Sequence, residues 1–186
     1  MLRFFTKNKP NEAVRRLYQE AVAQARQPVF YQTFGVPDTL DGRFDMVVFH
    51  VWPLIDALRN ENGGISSDGQ ALFDTFVDDM EQNLRGLGVS DTAFPRKMKT
   101  IGKAFYGRFD AYRKADDADA LARALARNVL GDESLSESAQ ARALAVYAAA
   151  MRDAAASGNI MVEFRYPDPA AFQPAPMQAA GAEALA

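Results

Sequence analysis

The strongest constraint on the fold is a pattern of apolar residues at three- and four-residue steps, broken by glycine, proline and capping residues. This spacing puts apolar side chains on one face of a helix, whereas a half-buried strand needs strict alternation. The pattern predicts about six amphipathic helices. They begin near Asn11, Arg43, Ser66 or Ser67, Ser90 or Asp91, Asp116 or Asp117, and Ser136. We therefore predict an all-α fold.

The chain length predicts one compact domain. Its 186 residues are close to the size of an ordinary domain and allow a single hydrophobic core. We expect an N-terminal leader at 1–10, a helical domain at 11–165 and a Pro/Ala-rich flexible tail at 166–186. Residues 160–164 are apolar and lack helical spacing, so they predict a short extended segment before the tail.

Residue composition disfavours most enzyme chemistries. The chain has no cysteine and one histidine, which removes thiol catalysis and leaves metal sites and hydrolase triads dependent on His50. We favour a structural role for His50, bonded to a neighbouring backbone or carboxylate group. Asp74 and Asp78 share a helix face, but no second acidic helix accompanies them, so we favour a solvated face over a metal site. We expect no catalytic residue and no cofactor.

The fourth helix is strongly basic although the whole chain carries a net charge of -3. The range 96–114 contains seven lysines and arginines and a single acid, Asp110. A helical wheel groups several of them opposite Phe105. We call this group the basic ridge: Arg96, Lys99, Lys103, Arg113 and Lys114. It predicts a docking surface for RNA or anionic lipid. The equally open alternative is a solvated face, or one that pairs with the acidic third helix.

Four sequence blocks in order resemble the ubiquinol-cytochrome c chaperone family. They lie at 31–52, 69–89, 103–108 and 121–128, and the resemblance covers about 29–130. The motif residues that carry it are Phe34, Gly35, Pro37, Asp38, Thr39, His50, Trp52, Asp79, Phe105, Gly107 and Asn128. A closing motif at 164–167 is similar to the end of bacterial members.

This resemblance implies a helical, non-enzymatic assembly factor for the ubiquinol-cytochrome c reductase complex. Its expected client is newly made cytochrome b. Mitochondrial relatives work near the ribosomal tunnel exit with a small partner subunit, which makes the ribosome an expected partner of the basic ridge. Because the chain lacks the long targeting extension of those relatives, we expect a bacterial member; the small partner subunit and self-association stay open.

Two further functions compete with the chaperone hypothesis. The first is an RNA-binding or ribosome-associated module that uses the basic ridge and has no client groove; the second, less favoured, is an acidic metal-dependent enzyme. No apolar run reaches the roughly 18–20 residues of a membrane-spanning helix, and the first residues do not form a secretory signal. We predict a cytoplasmic location, with peripheral contact to the inner membrane as one option.

Overall fold

The structure is a computed structural model that describes residues 12–174, so the leader and the last dozen residues lie outside the described part. Eight α-helices are described: α1 Glu12–Ala25, α2 Pro28–Gln32, α3 Leu40–Ala57, α4 Ser67–Gly86, α5 Phe94–Arg113, α6 Ala118–Leu125, α7 Ala139–Ala156 and α8 Ile160–Glu163. Six of them are longer than α2 and α8, and within 12–174 there is no strand, only an isolated bridge between Arg59 and Ile65. The all-α prediction is confirmed.

Side-chain caps explain where several helices begin. The Ser66 hydroxyl accepts a hydrogen bond from the Gly69 N–H, and Asp117 caps α6 through the Ala120 N–H. Each cap satisfies a backbone donor that the first helical turn leaves without a partner. The predicted cap at Ser136 is wrong, because 133–137 form a 3₁₀ turn and Ser138 caps α7 instead.

Two short elements differ from a simple helix-and-loop pattern. The segment after α1 contains a further short helix, α2, which begins with Pro28. Helix α6 continues into a π-helical turn, Ala126–Leu130, and Gly131 then adopts the left-handed conformation with φ of 77°. Glycine enters this region without strain, so Gly131 ends the helix here.

Helix α3 forms the centre of the bundle. It packs against α1, α4, α5 and α7, and every residue from Asp45 to Ile55 is buried. Apolar side chains occur around most of its circumference, which is the pattern of a helix covered on several sides. Two of the largest fully buried side chains, Trp52 and Phe49, come from this helix.

The turn into α3 is tightly packed against its own backbone. Thr39 caps the helix by accepting a hydrogen bond from the Gly42 N–H at 3.0 Å. A Cβ placed on Gly42 would lie 2.0 Å from the carbonyl oxygen of Pro37. Only glycine therefore fits this position without a backbone shift.

The C-terminal part of the described chain folds differently from the prediction. Residues 160–163 form the helical turn α8 rather than an extended segment, since Asn159 caps it through the Met161 N–H. The predicted flexible tail also begins too early. Tyr166 donates a hydrogen bond to the His50 carbonyl oxygen at 2.7 Å, and Phe172, in a 3₁₀ turn, contacts Tyr147. Residues 166–172 thus pack on the bundle.

Candidate functional site

Helices α4 and α5 form an antiparallel hairpin whose two ends differ in burial. At its root, Phe73 and Phe76 of α4 contact Phe105 of α5, with ring centroids 5.0 and 4.8 Å apart. At its far end, the Arg85 guanidinium lies 4.6 Å above the Phe94 ring. No residue from 81 to 104 is buried. We call these residues the hairpin tip.

The hairpin tip carries apolar side chains that the core does not cover. Leu84, Val89, Phe94, Met98 and Ile101 are half-buried, and only Ile101 of these packs against the core cluster. We call these five side chains the apolar strip. Met98 and Ile101 share the face of α5 that carries Phe105, so the strip continues the seam between the two helices. These five side chains are therefore the part of the seam that the core covers least.

The loop at the end of the hairpin tip is ordered by backbone hydrogen bonds. The N–H groups of Leu87 and Val89 bond to the carbonyl oxygens of Asn83 and Leu84. Gly88 between them has φ of 74°, a common way for a helix to end. The Leu87 side chain is consequently turned outward and is 62% exposed.

The structure divides the predicted basic ridge into two parts. Lys114 pairs with Asp110 at 2.7 Å, and Arg113 lies 3.8 Å from Asp56 of α3. In contrast, Arg96, Lys99 and Lys103 are exposed and form no ion pair with any of residues 12–174. We call these last three residues the open ridge; it lies on the hairpin tip.

Helix α4, which is the third helix counted from the sequence, is acidic but does not neutralise the basic ridge. Within the described chain, no salt bridge joins α4 to α5. Glu81 pairs with Arg85 on its own helix, Asp74 accepts a hydrogen bond from Gln70, and Asp79 accepts one from Tyr18 at 2.7 Å. The sequence left open that the basic ridge pairs with this acidic helix. For Glu81, Asp74 and Asp79 that alternative is wrong.

Arg108 of α5 has a structural role. Its Nε lies 2.5 Å from the Asp45 carboxylate, and its guanidinium lies over the Phe44 ring. Burial raises the pKa of Asp45 to about 6, although the Arg108 charge opposes that shift. The pair fastens α5 to the start of α3, so this base is not available to a partner.

Five family-motif residues form the turn into α3: Phe34, Gly35, Pro37, Asp38 and Thr39. Phe34 is fully buried, and Gly35 has φ of 76°, which favours glycine. The Asp38 carboxylate accepts a hydrogen bond from the Arg43 side chain at 2.6 Å. The geometry gives these residues a role in starting α3.

His50 lies in a buried hydrogen-bond chain. Its Nδ1–H donates to the Met46 carbonyl oxygen at 2.8 Å, and Nε2 accepts from the Tyr147 hydroxyl at 3.2 Å. Gln24 in turn donates to that hydroxyl at 2.9 Å. Burial lowers the pKa of His50 to about 4, so the ring is neutral. The predicted bond to neighbouring backbone is confirmed.

The other family-motif residues are mostly core contacts as well. Trp52 is fully buried with its ring 5.3 Å from that of Tyr112, centroid to centroid, and Phe105 joins the hairpin root. The side-chain nitrogen of Asn128 is buried in the π-helical turn without a hydrogen-bond partner in the described structure. Gly107 is different, since a Cβ there would meet nothing within 4 Å. No described residue therefore packs closely against this glycine.

Residues 12–174 contain neither a metal-binding cluster nor a membrane-spanning helix. No group of three or more histidine, aspartate or glutamate side chains is placed to hold a metal ion. Helices in this range are too short or too polar to cross a membrane. The hairpin tip was not predicted from the sequence, because a core stripe and an uncovered stripe have the same spacing. Its one local signal was the high density of bases beside Gly102 and Gly107.

The structure is thus an all-α domain whose hairpin tip carries a half-buried apolar strip. Comparison with known protein families identifies the class of protein. Residues 32–159 match the model of the ubiquinol-cytochrome c chaperone family. The chain belongs to this family, whose members are chaperones and assembly factors.

Two relatives agree with this assignment. The chain is 24% identical over 131 residues to ubiquinol-cytochrome-c reductase complex assembly factor 1 of Xenopus laevis, covering 69% of this chain and 66% of that protein. It therefore spans about two thirds of the frog protein's length. The crystal structure of the Cbp3 homolog from Brucella abortus superposes with a TM-score of 0.75 at 34% identity, covering 87% of this chain and 92% of that one. The names of these proteins do not support the alternative of an RNA-binding module.

Proposed function

We propose that this chain binds newly made cytochrome b and supports assembly of the ubiquinol-cytochrome c reductase complex. The family assignment supports the second part of the proposal. The first part rests on one observation, the apolar strip of the hairpin tip. A membrane-protein client exposes apolar helix surface before assembly, and the strip offers a matching surface that the core leaves uncovered.

The composition of the apolar strip suits a client that is not yet folded. Met98 is flexible and polarizable, so it adapts to irregular apolar surfaces. Phe94 supplies a large contact area under the Arg85 guanidinium. The tip packs little on the core, so it can adjust to a client without disturbing α3.

Site-specific photocrosslinking in cells tests the client surface. A photoreactive residue at Met98 should crosslink to cytochrome b. The same residue at Met161, another half-buried methionine, lies outside the hairpin and should not. Crosslinking to cytochrome b from position 161 but not from 98 would contradict the proposed surface.

A clean deletion tests the client itself. Loss of the protein should lower cytochrome b and reductase activity while other respiratory complexes stay near their normal levels. Unchanged cytochrome b would contradict the proposal. The cytoplasmic location stays a prediction, which fractionation of the same cells would test.

A further inference from the structure

The open ridge forms a continuous basic line on the outside of α5. Arg96, Lys99 and Lys103 are spaced so that they lie on one helix face, and Tyr106 extends the same line. With a rise of about 1.5 Å per residue, the line is roughly 15 Å long. Tyr106 is 55% exposed. Asp91 is the only acid between 84 and 106, against five bases.

Two exposed apolar side chains lie on the same hairpin: Leu87 in the loop that precedes α5, and Tyr106 three residues beyond Lys103. Leu87 stands outward on the loop, and the Tyr106 ring packs one edge on Phe73, with centroids 5.3 Å apart. Lysine and arginine beside exposed leucine and tyrosine are typical of a surface that rests on a lipid bilayer. The bases contact anionic headgroups, and the apolar side chains enter the boundary beneath them.

We propose that the open ridge, with Leu87 and Tyr106, is a docking surface for an anionic lipid bilayer. The proposal goes beyond the binding of a client and does not depend on it. The attraction is local, because the net charge of -3 gives the whole chain no affinity for an anionic surface. The α5 residues of the apolar strip, Phe94, Met98 and Ile101, lie on another face of that helix, so docking leaves them open.

The arrangement favours lipid over RNA. RNA binding gains from the bases, but a leucine that is 62% exposed adds nothing to a phosphate contact. On a bilayer the same leucine is removed from water. Lipid docking therefore accounts for both the charged and the apolar part of the surface.

Vesicle flotation with the purified full chain tests this proposal. The parent should float with phosphatidylcholine vesicles that contain phosphatidylglycerol and stay behind with phosphatidylcholine alone. The variant R96Q/K99Q/K103Q should bind the anionic vesicles roughly a hundredfold less tightly, since each base near such a surface contributes about fivefold. It should also show a weaker salt dependence.

Two further variants separate specific docking from general charge effects. R26Q/R123Q/R127Q removes three exposed bases elsewhere and should bind like the parent. Leu87→Ser should weaken binding several-fold with an unchanged salt dependence. Circular dichroism confirms folding of each variant.

Three outcomes would overturn the proposal. The first is a parent that does not float with anionic vesicles. The second is equal loss of binding in the two triple variants. The third is a parent that co-sediments with ribosomes through Arg96, Lys99 and Lys103 while ignoring vesicles, which would assign the ridge to RNA. Failure of the crosslinking or deletion experiments above would leave this vesicle result unaffected.

Discussion

The surroundings of α3 and the hairpin tip are both helical, yet they differ in how completely they bury their side chains. Around α3, eleven successive residues from Asp45 to Ile55 are buried, and the polar His50 ring has partners at both nitrogens. In the tip, residues 81–104 contain no buried side chain, and four cations (Arg96, Lys97, Lys99 and Lys103) lack ion pairs within the described chain. Stability is therefore concentrated in the first region, and the second is the region to which we assign the proposed partner surfaces.

Replacing a glycine by alanine should destabilise the protein when the glycine lies in α3 and stabilise it when the glycine lies in the hairpin tip. Gly42→Ala should cost about 4 kcal/mol or more, because its Cβ would overlap the Pro37 carbonyl and the backbone must move. Gly102→Ala places its Cβ in open space and should stabilise the protein by about 0.5–1 kcal/mol. Urea denaturation measures both. A destabilised Gly102→Ala variant would show that the tip packs more tightly than described.

The next largest difference in unfolding free energy between the two regions is expected when a leucine is replaced by alanine. Leu54→Ala removes a fully buried side chain of α3 and should cost about 2–5 kcal/mol in unfolding free energy. Leu87→Ala removes a mostly exposed one and should cost less than about 0.5 kcal/mol. Similar losses for the two variants, measured by thermal denaturation, would contradict the comparison.

Acid should weaken the α3 region through His50. Its pKa falls from 6.5 to about 4 on folding because burial disfavours the charged ring. Between these values the unfolded chain binds a proton that the folded chain does not, so stability is present above pH 6.5 and is lost as pH falls toward 4. The full loss is about 3 kcal/mol.

Comparison with His50→Gln isolates this contribution from the carboxylates. The variant should be less stable at neutral pH but should lose less stability between pH 6.5 and 4. Parallel pH profiles of parent and variant, from chemical denaturation, would show that the ring is protonated in the fold.

The smallest effect is expected at the open ridge. R96Q/K99Q/K103Q should change unfolding free energy by less than about 0.5 kcal/mol, since these side chains are exposed and have no carboxylate partner in the described chain. Chemical denaturation followed by circular dichroism measures the change. A loss above about 1 kcal/mol would mean that these bases stabilise the hairpin.

Much of the fold followed from the sequence because helix signals are local. The apolar spacing of α4, its cap at Ser66 and the stop at Gly131 all act within a few residues. The ion pair between Asp110 and Lys114 could also be predicted from the sequence, since residues four apart on a helix are neighbours. The family resemblance needed only short motifs in order.

Other features depended on residues far apart in the chain. Arg113 is removed from the basic ridge by Asp56, and the predicted tail is held by the bond from Tyr166 to His50. Neither partner is marked by any local pattern. The uncovered state of Leu84 and Met98 is also a tertiary property, because it reflects the absence of a neighbouring described helix.

The sequence by itself determined that this protein is helical, where most of its helices begin and end, and which family it resembles. These properties depend on side-chain periodicity, capping and short motifs, which act over a few residues. Only the tertiary structure decided which apolar stripes are covered, which cations are paired and where the packed chain ends. Burial and ion pairing are contacts between distant segments, so their energies are set by how α3, α5 and the C-terminal residues meet in space.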